Sequence, residues 1–376
     1  MPGPLSALKV IELAGIGPAP MAGMLLADLG ADVIRIDRPG GSKIGVAFDP
    51  SRSLLNRGKQ TLHLDLKDPA AIRTVLALIE RADVLIEGFR PGVVERLGIG
   101  PDVCRARNPR LVYGRVTGWG RNGPLADVAG HDINYIAITG ALAAIGPRDG
   151  KPSIPLNLLG DFGGGSLYLA LGILAAITER QLSDQGQVVD AAMIDGAASL
   201  MTTFFAQRAA GTLSLERESN LVDGGAPFYS VYRTSDDKWM AVGAIERNFF
   251  ANLVRLLGLD PVFVERQHDR AAWPAMRQAL ETCFASRTRD EWTRALESEE
   301  ACVSPVLDLD EAASHPHHRA HGTFTNTGDV VQPAPSPRFD RTPAGPAAPV
   351  IDAGDPAEIL SRWGLPEAMI TRHKST

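Results

Sequence analysis

Apolar positions in the first third of the chain come in short runs separated by stretches of helical period. Leu8–Leu13 (LKVIEL), Asp32–Ile36, Leu62–Leu66 (LHLDL), Val84–Ile86 and Leu111–Val116 read as strands, each bounded by turn-forming or polar residues. Helical patterns lie between them at about 21–29, 69–81 and 102–107. Asp68-Pro69 marks one helix start: Asp is a good N-cap, and Pro fits the first helical position, where its missing N–H has no partner anyway. Strands alternating with helices of this length predict an α/β fold with a doubly wound, Rossmann-like parallel sheet.

The pattern changes after the loop Gly118–Gly130. An apolar helix is predicted over 161–180. Its weakly polar part, Phe162–Ile177, is shorter than the roughly 18 residues of a membrane span and holds glycines, so a buried core helix is expected and no membrane partner. A strand at Gln187–Asp190 and a helix to about Ala210 follow, then a polar, loop-like stretch over 211–227. Tyr229–Arg233 and Trp239–Val242 flank Thr-Ser-Asp-Asp-Lys, a hairpin signature. Helical patterns near 247–258, 271–285 and 290–298, with a strand at Val303–Asp308, complete a small α+β unit. Residues 331–350 are Pro-rich and read as a semi-rigid connector, and 355–361 and 366–373 as two short helices.

Composition narrows the class. Hydrophobic residues at 44% and charged residues at 22% are ordinary globular values, which excludes a disordered, collagenous or coiled-coil chain. Lys and Arg number 38 against 44 Asp and Glu, a net charge of −6 that argues against a general nucleic-acid binder, which needs a basic face. Cys104, Cys283 and Cys302 form neither a disulfide framework nor a metal spacing, so a reducing, cytoplasmic location is expected. The N-terminal MPGPLSALKVIELAG lacks a basic segment ahead of a long apolar run, so no secretion signal is expected.

The first strand–turn–helix unit invites a dinucleotide reading, with Asp37 near the ribose position. The turn is Gly15-Ile16-Gly17-Pro18-Ala19-Pro20, however. Pro20 replaces the third glycine, and two prolines remove N–H groups that would hold a pyrophosphate. Arg38, Arg57, Lys59, Lys67, Arg90 and Arg96 recur instead at predicted strand ends and in adjoining loops. Fixed positive charges at the carboxyl ends of parallel strands suit a ligand with several phosphates. Leu159-Gly160-Asp161-Phe162-Gly163-Gly164-Gly165-Ser166 enters the apolar helix. Asp161 is expected to cap it, and three glycines there suggest a ligand lying against the backbone. Gly130-His131-Asp132-Ile133-Asn134-Tyr135 follows the last strand of the sheet, and Val242-Gly243-Ala244-Ile245-Glu246 ends a hairpin strand. His315, His317, His318 and His321 have no acidic or cysteine partner at helix-like spacing, and no metal is expected.

Together these segments resemble the family III CoA-transferases over most of the chain. The resemblance is carried by LKVIELAGIGPAP (8–20), DLGADVIRIDRP (28–39), NRGKQTLHLDLK (56–67), DVLIEGFRPGVVERLG (83–98), TGWGRNGP (117–124), AGHDINY (129–135), LLGDFGGGS (158–166), GQVVDAAMIDG (186–196), LVDGGAPFY (221–229) and AVGAIE (241–246). GHDINY, then GDFGGG, then AVGAIE, favours the racemase branch of that family. The resemblance implies an interlocked homodimer in which the small domain completes the partner's active site. It implies a large Rossmann-like CoA-binding domain over 1–195, a helical linker over 196–226 and a small α+β domain over 227–315. A Pro-rich return linker over 316–350 and C-terminal helices over 351–376 then rejoin the large domain.

The resemblance also implies chemistry: interconversion of (2R)- and (2S)-2-methylacyl-CoA thioesters through an enolate. His131 and Asp161 would be the two acid/base groups, and Glu246 would orient His131. The enolate oxygen would meet backbone N–H groups at the start of the 161 helix. CoA would be held by Arg38, by Leu64, Asp65, Leu66 and Lys67, by Gly88, Phe89 and Arg90, by Arg96, and by Gly130, Asp132, Ile133, Asn134 and Tyr135. CoA belongs to the substrate, so no separate cofactor is expected. The alternative within the family is transfer of CoA between carboxylic acids through an Asp161-linked acyl anhydride. Residues 40–55 are a few residues long for the racemases, a departure that bears on how the adenosine end is covered. For the acyl side Met193, Met201 and Met240 are the thioether candidates.

Overall fold

The structure, a computed structural model, describes residues 3–40, 49–351 and 354–370, so residues 41–48 of the 40–55 loop and the end of the expected 366–373 helix lie outside the described residues. The strands of the first third are β1 (Lys9–Leu13), β2 (Asp32–Asp37), β3 (Lys59–His63), β4 (Val84–Glu87) and β5 (Val112–Thr117), and β6 (Val188–Ala192) joins them. They form one sheet in the order β3-β2-β1-β4-β5-β6, parallel throughout. The order turns at β1, with β2 on one side and β4 on the other. The loops after β1 and β4 therefore open a crevice at the carboxyl ends of the strands.

Both faces are covered, and the period of two along each strand assigns the layers. Ile11, Leu13, Ile34, Ile36, Leu85 and Tyr113 pack with the helix Pro69–Ile79 and with Ile359, Leu360 and Trp363 of the C-terminal segment. Val10, Val33, Val84, Ile86 and Val112 pack on the other face with the helix Pro18–Asp28 and with Leu169, Ile173 and Ala176 of the helix Tyr168–Ser183. β3 begins three residues earlier than the leucine pattern suggested. The reason is electrostatic. Lys59 is fully buried, and its Nζ donates to Glu12 Oε2 at 2.6 Å and to the Pro20 carbonyl at 2.8 Å, locking β3 to β1 across β2.

By contacts the chain divides into two compact units. The first holds Met1–Thr139, Leu156–Met201 and Pro316–Thr376; the second holds Gly140–Pro155 and Thr202–His315. Residues 140–155 thus fall outside the first unit, and the 196–226 stretch is split at Met201. The Pro-rich 316–350 stretch is folded onto the first unit. β10 (Phe324–Thr327) and β11 (Val330–Pro333) form a hairpin, and Arg57 donates to Gln332 and to the Pro333 carbonyl. Trp363 Nε1 donates to Asp32 at 2.9 Å and fixes the tail. In the second unit β7 (Tyr229–Arg233), β8 (Trp239–Gly243) and β9 (Val303–Pro305) make an antiparallel sheet. Phe228, Tyr232, Phe250, Phe284 and Trp292 fill its core.

The apolar helix departs from expectation. The stretch Leu158–Ser183 has 26 residues and is long and apolar enough to cross a membrane, and one stripe of it packs on the sheet. Leu169, Ile173, Ala176 and Arg180 are buried, and Arg180 pairs with Asp83 at 2.9 Å. Leu167, Leu171 and Leu182 point outward, Leu171 being 66% exposed. It is half-buried, not a core helix, because only one stripe meets the sheet.

Lys59→Met is expected to lower stability by about 3–5 kcal/mol, since it leaves the buried Glu12 carboxylate with Arg35 at 4.0 Å in place of a direct hydrogen-bonded partner. Lys59→Met combined with Glu12→Leu should cost far less, and urea unfolding of both variants checks the difference.

Candidate active site

Asp161 is set by a widened turn. Leu158–Leu167 is π-helical, and the α-helix begins only at Tyr168. π-turns are rare and cluster at functional sites. Gly164 and Gly196 explain how this one packs. A Cβ on Gly196 would lie 1.9 Å from the Gly164 carbonyl oxygen, and one on Gly164 would lie 2.7 Å from the Ala197 nitrogen. The π-turn and the helix Met193–Leu200 therefore touch backbone to backbone. Gly165 leaves no room for a Cβ either, here against the side chains of Met193 and Pro18. The glycine run serves this packing, so the expectation that it clears space for a ligand is corrected for Gly164 and Gly165.

Asp161 is not the helix N-cap. Its carboxylate accepts from Asn157 Nδ2 at 3.1 Å, and its own N–H donates to Asp132 Oδ2 at 2.7 Å. The Phe162 N–H is bonded to the Asn157 carbonyl. These two N–H groups are occupied, which corrects the placement of an enolate oxygen against them. Gly17, in the turn after β1, has φ +67°, and a Cβ there would lie 2.8 Å from Asp161 Oδ2. The turn that fails as a dinucleotide fingerprint thus receives the Asp161 side chain. Ser166 Oγ lies 2.9 Å from the Pro18 carbonyl and 3.0 Å from that of Asp161, tying the π-turn to the same loop.

His131 caps the helix Asp132–Ile138 and is exposed; its N–H donates to Asn134 Oδ1 at 3.0 Å. Asp132 is buried, Ile133 is exposed, and the buried Tyr135 donates its hydroxyl to the Gly130 carbonyl. Burial raises the pKa of Asp161. The Asn157 hydrogen bond opposes the shift, the Asp132 charge adds to it, and His131 draws it back. Burial likewise raises Tyr135, which feels Asp161, Arg90 and Asp132. His131, Asp132, Tyr135, Arg90 and Asp161 therefore share one neighbourhood within the first unit.

The remaining residues sort by burial. Arg38, Asp65, Lys67, Gly88, Arg90 and Arg96 are exposed, at or beyond the carboxyl ends of β2, β3 and β4. Leu64 belongs to the core, and Leu66 and Phe89 pack against it. The Phe89 N–H donates to buried Glu87 Oε2 at 2.7 Å, which fixes the 88–90 segment, while Arg115 holds the other Glu87 oxygen at 3.0 Å. A cleft of about 310 Å3 beside this edge is lined by His63, Leu64, Asp65, Asp68 and Arg73 among others. Arg57 and Lys59 are corrected: Arg57 is 3% exposed and holds Asp28 through two nitrogens, and Lys59 is buried on Glu12, so neither faces a ligand. Met193 and Met240 are core residues, so neither offers a sliding surface. Glu246 is exposed, at the N-cap of the helix Arg247–Leu257 in the second unit. No metal-binding cluster of three or more His, Cys, Asp or Glu occurs among the described residues. Two site residues escaped the sequence reading, Asn157 and Gly17. The i, i+4 spacing of Asn157 to Asp161 was the available signal for the first.

Residues 5–353 match the CoA-transferase family III. The chain is 43% identical over 373 residues to the alpha-methylacyl-CoA racemase of Mus musculus, covering 97% of this chain and 95% of that protein. It is 43% identical over 344 residues to the racemase of the same name from Homo sapiens, covering 91% and 88%. Its fold is similar to the crystal structure of a CAIB/BAIF family protein from Brucella suis, with a TM-score of 0.82 at 25% identity over 96% of this chain and 100% of that one.

Because the folded state raises the Asp161 pKa above its unfolded value, Asp161 supports folding while protonated and loses that support as pH rises through its folded pKa. Asp161→Asn is therefore expected to raise the thermal midpoint at neutral pH, with the gain shrinking toward acid pH; differential scanning at both pH values checks this.

Proposed function

The chain belongs to CoA-transferase family III and is an enzyme of acyl-CoA chemistry, and from that premise we propose that it interconverts (2R)- and (2S)-2-methylacyl-CoA thioesters by 1,1-proton transfer. The observation that carries this reading is Asp161. It is a partly buried carboxyl biased toward its protonated form, with a histidine near enough to oppose that bias. Racemisation at carbon 2 needs one proton acceptor and one donor on opposite faces of a planar enolate. Neutral His131 takes the C2 proton from one face, the electron pair passes into the thioester as an enolate, and protonated Asp161 returns a proton to the other face. In the reverse direction the roles exchange. Glu246 orients His131 in this reading, by the family resemblance, with the second unit of one protomer completing the site of its partner. The outward row Leu167, Leu171 and Leu182 supports a second copy as what covers it.

The CoA phosphates meet Arg38, Lys67, Arg90 and Arg96 in this reading. No cofactor enters beyond the CoA carried by the substrate. The family's other chemistry has the Asp161 carboxylate attack the thioester carbonyl, form a mixed anhydride and expel the CoA thiolate. That step needs Asp161 ionised, as reverse racemisation does, so Asp161 serves either chemistry, and His131 is the residue for which the transferase has no evident use.

One enantiomer of a 2-methylacyl-CoA, incubated with the enzyme in deuterated water, should gain deuterium at C2 and racemise. His131→Ala and Asp161→Asn should each lower that rate by roughly 10²–10⁴-fold. No exchange, with CoA moved to an added carboxylate, would establish the transferase instead. Arg90→Ala should raise KM more than it lowers kcat, and added salt should weaken wild-type binding more than that of the variant.

A further inference from the structure

We infer that Asp132 is a positioning residue for Asp161: its carboxylate holds the π-turn through the Asp161 backbone N–H and sets a negative charge beside the Asp161 carboxyl. The inference rests on the proton-transfer role proposed for Asp161.

Four observations lead to it. Asp132 is 6% exposed, at the first position of the helix Asp132–Ile138. Its Oδ2 accepts the Asp161 N–H at 2.7 Å, a charge-assisted bond within one neighbourhood but across 29 residues of sequence. The turn is shaped to admit it, because a Cβ on Gly160 would lie 2.6 Å from Asp132 Oδ2 and 3.3 Å from the Asp132 carbonyl oxygen. Finally, Asp132 Oδ1 is buried and accepts no hydrogen bond from the described residues. A buried carboxylate with an unspent oxygen is costly. Packing alone does not account for it, since asparagine has the same shape and its carbonyl oxygen would accept the same N–H without a charge. What aspartate adds is the charge itself, a few bonds from the Asp161 carboxyl.

The surroundings define how that charge acts. From the N-cap and first turn of the helix Asp132–Ile138 Asp161 meets His131, which opposes Asp132, and Tyr135. From the loop after β4 Arg90 reaches the Tyr135 phenol. The helix Pro18–Asp28 carries a single ionisable group, Asp28, which is committed to Arg57. On the helix Met193–Leu200 the ionisable group is Asp195, which acts on Asp190. On β5 Arg115 is held by Glu87. Among the described residues Asp132 is thus the neighbouring carboxylate whose charge raises the Asp161 pKa.

Asp132→Asn and Asp132→Ala separate the two parts of the inference. Carbon-13 NMR of enzyme labelled at its aspartate carboxyls reports the Asp161 titration directly, assigned by its loss in Asp161→Asn. In Asp132→Asn the Asp161 titration should move to lower pH, and the limb of the pH profile of kcat/KM for C2 proton exchange that Asp161 sets should move down with it. Asp132→Ala, which also releases the Asp161 N–H, should lose roughly tenfold or more in exchange rate relative to Asp132→Asn. An Asp161 titration unmoved in Asp132→Asn, or equal exchange rates in the two variants, overturns the inference. Should Asp132→Ala fail to fold, the titration in Asp132→Asn still decides it. A wild-type enzyme that exchanges no C2 proton overturns the racemase reading instead, and the titration then stands as a separate test of Asp132.

Discussion

Two polypeptide backbones in contact, with no side chain between them, fix the rest of this site. Gly164 in the π-turn and Gly196 in the helix that follows β6 approach so closely that a methyl group on either has no room. The sheet fixes where the second helix begins, because Met193 directly follows the last residue of β6. The contact then fixes the π-turn, and the π-turn fixes Asp161. Tight packing of this kind transmits small displacements instead of absorbing them. Asp161 is therefore held by the scaffold although it lies in a turn, and Gly17, Asn157 and Asp132 settle the direction of its carboxyl and backbone.

Charge is divided in the same spirit. Buried charges are paired: Lys59 with Glu12, Arg57 with Asp28, Arg115 with Glu87, Arg180 with Asp83. These pairs tie strands and connecting segments together, and each is costly to break singly. Exposed cations lie apart from them, at the carboxyl ends of β2, β3 and β4. A chain of net charge −6 can in this way present a locally cationic edge. The same sorting leaves Arg38, Lys67, Arg90 and Arg96 exposed at that edge while Arg57 and Lys59 are buried on carboxylates.

Much of the fold was legible in the sequence, because the central strands carry unbroken apolar runs and their helices carry clear caps such as Asp68-Pro69. The parallel sheet and the hairpin Tyr229–Gly243 could be read from pattern, and the motifs that hold His131 and Asp161 fall in one neighbourhood of the first unit. What was not legible depends on distance. Arg57 and Lys59 look like ligand cations until the fold shows Asp28 and Glu12 against them. The glycines of 163–165 look like ligand clearance until Gly196 is seen opposite. A π-turn has no period of its own in the sequence, so Asp161 looked like an ordinary N-cap. The hairpin Phe324–Pro333 was hidden by its short strands and the prolines around it, and its place is set by Arg57, far away in sequence.

The central claim is that His131 and Asp161 stand on opposite faces of the carbon whose proton is exchanged. A crystal structure with a 2-methylacyl-CoA bound tests it most directly. The account predicts carbon 2 within proton-transfer reach of both side chains, one above and one below the plane of the thioester. A complex in which an Asp161 oxygen faces the thioester carbonyl carbon, with His131 turned away from carbon 2, would contradict it.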